Sequence, residues 1–277
     1  MCDEGDHYLT SSDIRRGYFK PAGQPWKEVQ YANVDGMAVF EGCIILGQTA
    51  DLEQSLPEVE QAIAAMPMLL EEATLRIQGV AIKGEQYRWK NRTIPYELPA
   101  DIPKPARVTD AIAHWHEHTS IRFVPRTTQP DYVSFNRRDA SGCASRIGRC
   151  TGMQTLVLRD TCSTGNIIHE LGHCVGLWHE QSRADRGNFI EIVADNITSG
   201  MESNFTQHIN DGVDLGDYDF GSIMHYPGTA FSVNGEETIR PKVPLPPGVV
   251  MGQRTALSAG DIAAVEKLYE GVPAPNG

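Results

Sequence analysis

Residues 169–179 read His-Glu-Leu-Gly-His-Cys-Val-Gly-Leu-Trp-His, and no other stretch restricts what this chain can fold into as severely. On a helix, His169 and His173 project from one face, so both rings can hold a single metal ion. Glu170 lies beside them but off the ligand spacing, where a carboxylate serves as general base toward a water whose pKa zinc lowers to about 7. Gly176 can adopt the left-handed conformation that stops a helix and turns the chain, which lets His179 reach the same ion from a new direction. Three imidazoles with one coordination position left open suit a catalytic zinc ion rather than a closed structural one. The five-residue His-Glu-x-x-His pattern by itself also occurs in core helices without metal. The weight therefore falls on Gly176, His179 and a downstream methionine, Met224, in Tyr218-Asp219-Phe220-Gly221-Ser222-Ile223-Met224-His225-Tyr226.

The eleven-residue form with a later methionine turn is the metzincin signature. HELGHCVGLWHEQSRADR further resembles the extended signature of the astacin family of zinc peptidases, in which the third His is followed by Glu, here Glu180, and then by Arg183, Asp185 and Arg186. SIMHYP is similar to that family's methionine turn, and IKGEQYRW, TIPYEL, IRFVPRTT, DYV, SGCAS, NITSGMESNF and LSAGDIAAVEKLY extend the likeness from about Val80 to Tyr269. The resemblance implies an α+β, two-lobed, astacin-like fold. Its upper lobe holds a twisted mixed sheet and the active-site helix, and its lower lobe is irregular apart from a C-terminal helix. It implies a zinc-dependent endopeptidase acting on proteins or peptides, with His169, His173 and His179 as zinc ligands and Glu170 as base. Met224 becomes an apolar floor under the zinc. Tyr226 becomes a further zinc ligand in the active form that swings away to stabilise the oxyanion. Glu180 is expected to anchor the amino terminus of the matured enzyme, and to be paired differently beforehand because a buried carboxylate needs a partner. Arg183, Asp185 and Arg186 read as a structural ion-pair network. Arg254 has two readings, a substrate-binding cation that favours acidic residues and a salt bridge to the lower lobe.

Residues 1–79 are expected to be a propeptide and residues 80–277 the astacin-like catalytic domain, with the activation cleavage within or beside Val80–Arg88, made by another protease or by self-cleavage. The inhibitory segment is expected at about residues 37–47. Met37-Ala38-Val39-Phe40-Glu41-Gly42-Cys43 resembles the family's Phe-x-Gly-Asp motif, whose aspartate binds the zinc and displaces the catalytic water, with Cys43 in place of the aspartate. A thiolate is a softer and stronger zinc ligand than a carboxylate, so Cys43 is expected as the fourth ligand of a cysteine-switch zymogen. A disulfide partner or an ordinary buried thiol remains the alternative for Cys43.

From the resemblance, Cys143 and Cys162 are expected to pair. The family's second, long-range bridge cannot form, because Ser120 takes one partner's place. Cys150 and Cys174 either pair with each other or remain free. Cys2 reads either as a lipid-anchor site or as a free thiol in a flexible tail. A net charge of −12 argues against nucleic acid or anionic membranes as partners, and 277 residues with 40% apolar content suffice for one sizeable domain plus a proregion. A monomer, secreted or at the cell surface, is expected, with its signal sequence absent from this chain. A bacterial source is expected too, in which the sequons at Asn91, Asn196 and Asn204 carry no sugar. Two rivals remain: a latent zinc-binding scaffold, which has no use for Glu170, and another metzincin subgroup, which Glu180 and Tyr226 together disfavour.

Local patterns predict an extended Cys43 segment, an acidic helix near Leu56–Ile77 interrupted by Pro67, and strands at Thr93–Leu98, Ile121–Val124 and Tyr132–Phe135. A helix is predicted over Pro105–His118. Thr155–Leu158 is the candidate edge strand for pairing with substrate backbone. Ser163 or Thr164 should cap the zinc helix, which runs to about Val175. Further helices are expected near Asp195–Gln207 and at Ser258–Tyr269. His114, His116 and His118 are read as polar residues of a half-exposed helix rather than a second metal site.

Overall fold

In the computed structural model, which describes residues 8–20, 26–65, 80–138 and 142–275, the described residues before 66 form a folded layer. Strands β1 (Ile14–Phe19), β2 (Lys27–Val34), β3 (Met37–Phe40) and β4 (Ile44–Gln48) form an antiparallel meander. Asp35-Gly36 joins β2 to β3, with both residues at positive φ, 50° and 82°. That two-residue turn has the twist of the flanking strands, which is why Asp-Gly is so strong a hairpin signal. The next turn, Glu41-Gly42-Cys43, again uses two positive φ values, 47° and 68°, so the hairpin tip carries Cys43. A Cβ on Gly42 would come within 2.9 Å of both the Tyr8 and Phe231 rings, so only glycine fits there.

Helix α1 (Thr49–Ala65) follows β4 directly. It begins earlier than the predicted Leu56 start and carries Pro57 inside; Pro67, the remainder of the predicted helix and Cys2 lie outside the described residues. The chain continues through β5 (Ala81–Ile82), β6 (Thr93–Glu97), α2 (Ala106–His118), β7 (Arg122–Pro125), β8 (Tyr132–Arg137), β9 (Ala144–Ser145), β10 (Met153–Leu158) and α3 (Thr164–Val175). Nine strands make one mixed sheet in the order β1-β2-β3-β4-β9-β10-β8-β6-β7. The N-terminal meander joins the later strands of the sheet through a parallel pairing of Ile44 with Ser145.

This arrangement corrects the edge-strand expectation. β10 is interior, parallel to β8 on one side and antiparallel to β9 on the other. The strand beside the cleft is the two-residue β9, and β4 covers it. Helices α2 and α3 pack on the sheet around Trp115, Phe135, Ile168 and Leu171, all buried. Met37, Phe40 and Ile44 from the N-terminal layer share a second core with Val80, Ile82 and Trp178.

Beyond α3 the chain is mostly irregular, with β11 (Ile190–Ile192) paired to β13 (Ile239–Pro241) and β12 (Gly212–Val213) paired to β5. The helix expected at Asp195–Gln207 is instead two short 3-10 turns, Ala194–Asn196 and Glu202–Phe205. Gly200 between them sits at φ 88°, outside any right-handed helix. Helix α4 (Ala259–Leu268) closes the fold with Val265 buried and Ile262 and Leu268 half-buried against the main core. Where the long-range bridge is missing, the Glu266 carboxylate accepts from the Ser120 backbone N–H at 2.6 Å, from its hydroxyl at 2.9 Å and from Arg92 at 3.2 Å. A polar clasp thus ties α4 to the upper lobe.

Candidate active site

Helix α3 owes its start to a reciprocal capping box: the Ser163 hydroxyl accepts from the Asn166 N–H, and the Asn166 side chain accepts from the Ser163 N–H. It ends at Gly176, whose φ of 120° turns the chain as the sequence predicts. The turn brings His179 back beside His169 and His173. All three imidazoles are buried, and their Nε2 atoms surround the Cys43 sulfur at 3.6 Å for His169, 3.3 Å for His173 and 3.2 Å for His179. The four ligand atoms lie within 4.8 Å of one another.

Each Nδ1 is occupied. His169 donates to the Ile223 carbonyl at 2.8 Å, His173 to the Leu177 carbonyl at 2.7 Å, and His179 to the Glu41 carboxylate at 2.8 Å. These bonds fix the tautomers and turn the Nε2 lone pairs toward one another, the outer support that a zinc centre requires. The donor set therefore fits one zinc ion, with three nitrogens and one soft sulfur. Without a cation, burial and the nearby Glu170 carboxylate hold the Cys43 thiol well above its ordinary pKa. A bound cation inverts that balance and deprotonates the thiol.

Burial pushes the Glu170 carboxyl up to about 8, against the opposing hydrogen bond from Ser145 and the field of Arg254. The Ser145 hydroxyl lies 3.0 Å from Glu170 Oε2. Met224 packs under α3 at Gly172, where a Cβ would meet its sulfur at 2.6 Å. Tyr226 is buried and donates at 2.7 Å to the backbone carbonyl of Glu41, so its phenol is engaged by the hairpin tip. Glu180 accepts from the Asp219 N–H at 2.9 Å and pairs with Arg183 at 3.4 Å; burial raises its carboxyl to about 8. Arg183 also grips Asp185 at 2.7 Å, while Arg186 caps the Gln181 and Phe205 carbonyls.

Arg254 makes no salt bridge among the described residues. Its guanidinium donates to the carbonyls of Ile223 at 2.8 Å and His225 at 3.1 Å, which clamps the methionine turn from behind. His225 bridges the Tyr218 hydroxyl at 2.7 Å and the Tyr226 carbonyl at 2.6 Å, a structural position. His114 and His116 accept from the backbone N–H groups of Leu257 and Phe123, at 3.0 and 2.9 Å. Cys143 and Cys162 form a disulfide, while Cys150 and Cys174 are free.

Sequence reasoning missed Glu41. Its carboxylate, with no exposure to solvent, bridges His179 and His208, each at 2.8 Å. His208 in turn meets Asp211 at 2.9 Å, and Lys27 of β2 meets Asp211 at 3.0 Å. Burial alone would raise the Glu41 carboxyl, but the positive His208 and the hydrogen bonds from both rings hold it down at about 2. His208 is raised despite its burial, by Asp211 and Glu41 together. Glu41 lies two residues before Cys43 in the motif, but nothing in the sequence marks His208 as its partner.

A family-level comparison matches residues 81–270 to the Astacin family of peptidases. Zinc metalloproteinase nas-14 of Caenorhabditis elegans is 34% identical over 97% of this chain and 54% of its own length. Blastula protease 10 of Paracentrotus lividus is 38% identical over 72% of this chain and 35% of its own. The chain thus spans about half, or less, of the length of these relatives. Among solved structures, high choriolytic enzyme 1, a hatching enzyme zinc-protease of the medaka fish Oryzias latipes, superposes with a TM-score of 0.61 at 34% identity, covering 69% of this chain and 98% of that one. With its motifs, its fold and the full stretch from Ala81 to Glu270 in agreement, this chain belongs to the astacin family of zinc peptidases.

Proposed function

We propose that the chain is the latent form of a zinc endopeptidase that cleaves proteins or peptides, with residues 1–79 as propeptide and residues 80–277 as catalytic domain. The observation that carries the reading is the Cys43 sulfur at 3.2–3.6 Å from three convergent imidazole nitrogens, on a hairpin that also covers β9. His169, His173 and His179 hold the zinc, and Cys43 completes the set while the hairpin stays in place. Zinc, when bound, supplies Lewis acidity that makes a water nucleophilic near neutral pH and polarises the scissile carbonyl.

Once the hairpin leaves, Glu170 takes the proton from the attacking water and passes it to the departing amine. Tyr226, released from the Glu41 carbonyl, donates to the developing oxyanion. The exposed edge of β9 binds substrate backbone by strand addition, the position now held by β4. Cleavage near Val80 creates an amine beside a cavity lined by Val80, Glu180, Asp219 and Asp261, where Glu180 can receive it as a buried ion pair. The Cys143–Cys162 disulfide fits an exported, oxidising setting, and no helix among the described residues is long and apolar enough to cross a membrane. A monomer suffices, since one chain carries the whole constellation.

X-ray absorption at the zinc edge tests the latch. One sulfur ligand is expected in the intact chain, and none after limited trypsin activation. A nitrogen and oxygen shell in both forms would return Cys43 to a spectator role. Casein hydrolysis that appears on activation and vanishes in Glu170→Ala tests the peptidase, and Cys43→Ala should raise basal activity.

A further inference from the structure

We propose that Ser145 positions the general base, coupling the chain that occupies the cleft to the orientation of the Glu170 carboxylate. The inference rests on the peptidase reading. Ser145 is fully buried on β9, the strand beside the cleft. Its hydroxyl lies 3.0 Å from Glu170 Oε2 and 2.9 Å from the Glu170 backbone carbonyl, with the Cys174 sulfur as a further neighbour. One hydroxyl proton, shared between the two oxygens, thus ties both ends of residue 170 to a different element. A carboxylate on a helix rotates freely about its last torsion unless something fixes it. Fixing Oε2 leaves Oε1 as the oxygen that takes the proton.

The backbone of the same residue does the second half of the work. The Ser145 N–H donates to the Cys43 carbonyl at 2.9 Å, and Ile44 pairs with Ser145 in the sheet. An extended peptide that replaces the hairpin on β9 has this N–H within reach, since β9 offers only Ala144 and Ser145. Among the described residues, Ser145 alone combines a backbone bond to the cleft's occupant with a side-chain bond to the Glu170 carboxylate. A substrate seated there holds β9 in place, and β9 holds the base. Misplacement of a catalytic group by about 1 Å costs on the order of 100-fold in rate, so the effect belongs in kcat.

The test uses the full chain activated by limited trypsin, with Glu170→Ala as the blank. Ser145→Ala should lower kcat on a fluorogenic peptide roughly 10- to 100-fold while KM changes by less than about threefold. Ser145→Thr, which keeps the hydroxyl, should recover most of the loss. Unchanged kcat in Ser145→Ala, a change in KM alone, or a Thr variant as impaired as Ala would each overturn the proposal. A second readout is independent of turnover. In the metal-free full chain at acid pH, the carboxyl stretch of Glu170, identified by its loss in Glu170→Gln, should move to higher frequency in Ser145→Ala. A parent without Glu170-dependent turnover would sink the peptidase reading itself, whereas an unmoved band with an active parent would sink only the role of Ser145.

Discussion

Replacing Glu41 by glutamine tests how much of the hairpin's grip comes from its carboxylate rather than from Cys43. The carboxylate accepts two ring N–H bonds at 2.8 Å in a site closed to solvent. His179 must donate from Nδ1, because its Nε2 faces the Cys43 sulfur. His208 must donate from Nε2, because its other nitrogen meets Asp211 and both carboxylates hold the ring charged. A glutamine can accept from one of these donors but points an NH2 at the other. A charge-assisted hydrogen bond is worth ~1.5–3 kcal/mol, and an orphaned buried donor costs a similar amount. The hairpin tip should therefore lose about 3 kcal/mol of its hold, roughly a 100-fold rise in the open fraction. His179 also loses the carboxylate that orients it, which for metal-bound histidines costs on the order of 10- to 100-fold in affinity. The assay is peptide hydrolysis by uncut, zinc-loaded protein, together with zinc transfer to a chelator. Both should accelerate in Glu41→Gln. If the variant stays as latent as the parent and releases zinc at the parent rate, the reasoning fails, and Cys43 alone carries the latency.

Three other outcomes can be stated. Burial pushes the Glu180 carboxyl up to about 8, against an ordinary value of 4.5. The folded state then holds a proton that the unfolded chain releases, so this contribution is complete below about pH 4.5 and is lost as pH rises through 8, on the order of 5 kcal/mol. Urea unfolding at pH 5 and pH 9 should show a smaller gap for Glu180→Gln than for the parent; an equal gap would remove Glu180 from the account. Gly165→Ala would place a Cβ 1.6 Å from the Arg254 carbonyl oxygen, backbone against backbone, so the start of α3 and the methionine-turn clamp must move apart. A loss of more than ~3 kcal/mol is expected, and a melting temperature unchanged from the parent would contradict the packing described. Replacing Cys143 and Cys162 by serine opens a loop closed over 19 residues, with an expected loss of about 3 kcal/mol in denaturant unfolding; full retention of stability would contradict it.

Much of the site was legible because its chemistry is local. The spacing of His169, His173 and His179, the break at Gly176, the Ser163 cap and the place of Glu170 beside the imidazoles all follow from one helix and its two ends. The relevant interactions span at most a few residues, and periodicity and capping report on that range. The α2 and α4 helices and strands β6 to β8 were readable for the same reason. The Asp35-Gly36 turn was equally local and went unread, and with it the four-stranded character of the N-terminal layer. Cys43 could be named from its motif, and its three partners with it, once the zinc helix was recognised.

What only the tertiary structure decided lies across long separations. Glu41 meets His179, His208 and Tyr226 over 138, 167 and 185 residues, and no periodic pattern encodes such pairings. The edge strand was misassigned for a related reason. β10 has the β-branched, apolar look of a strand, but whether it lies at an edge depends on which other strands pair beside it, here a two-residue β9 and then the N-terminal β4. Arg254 shows the same limit: a guanidinium's partner is set by whichever carbonyls the fold turns toward it, not by neighbouring residues in the chain. The sequence alone thus determined the helix that carries His169 and His173, and the family. The packing of the N-terminal hairpin into the cleft decided which groups it engages, because burial and pairing are properties of the assembled chain.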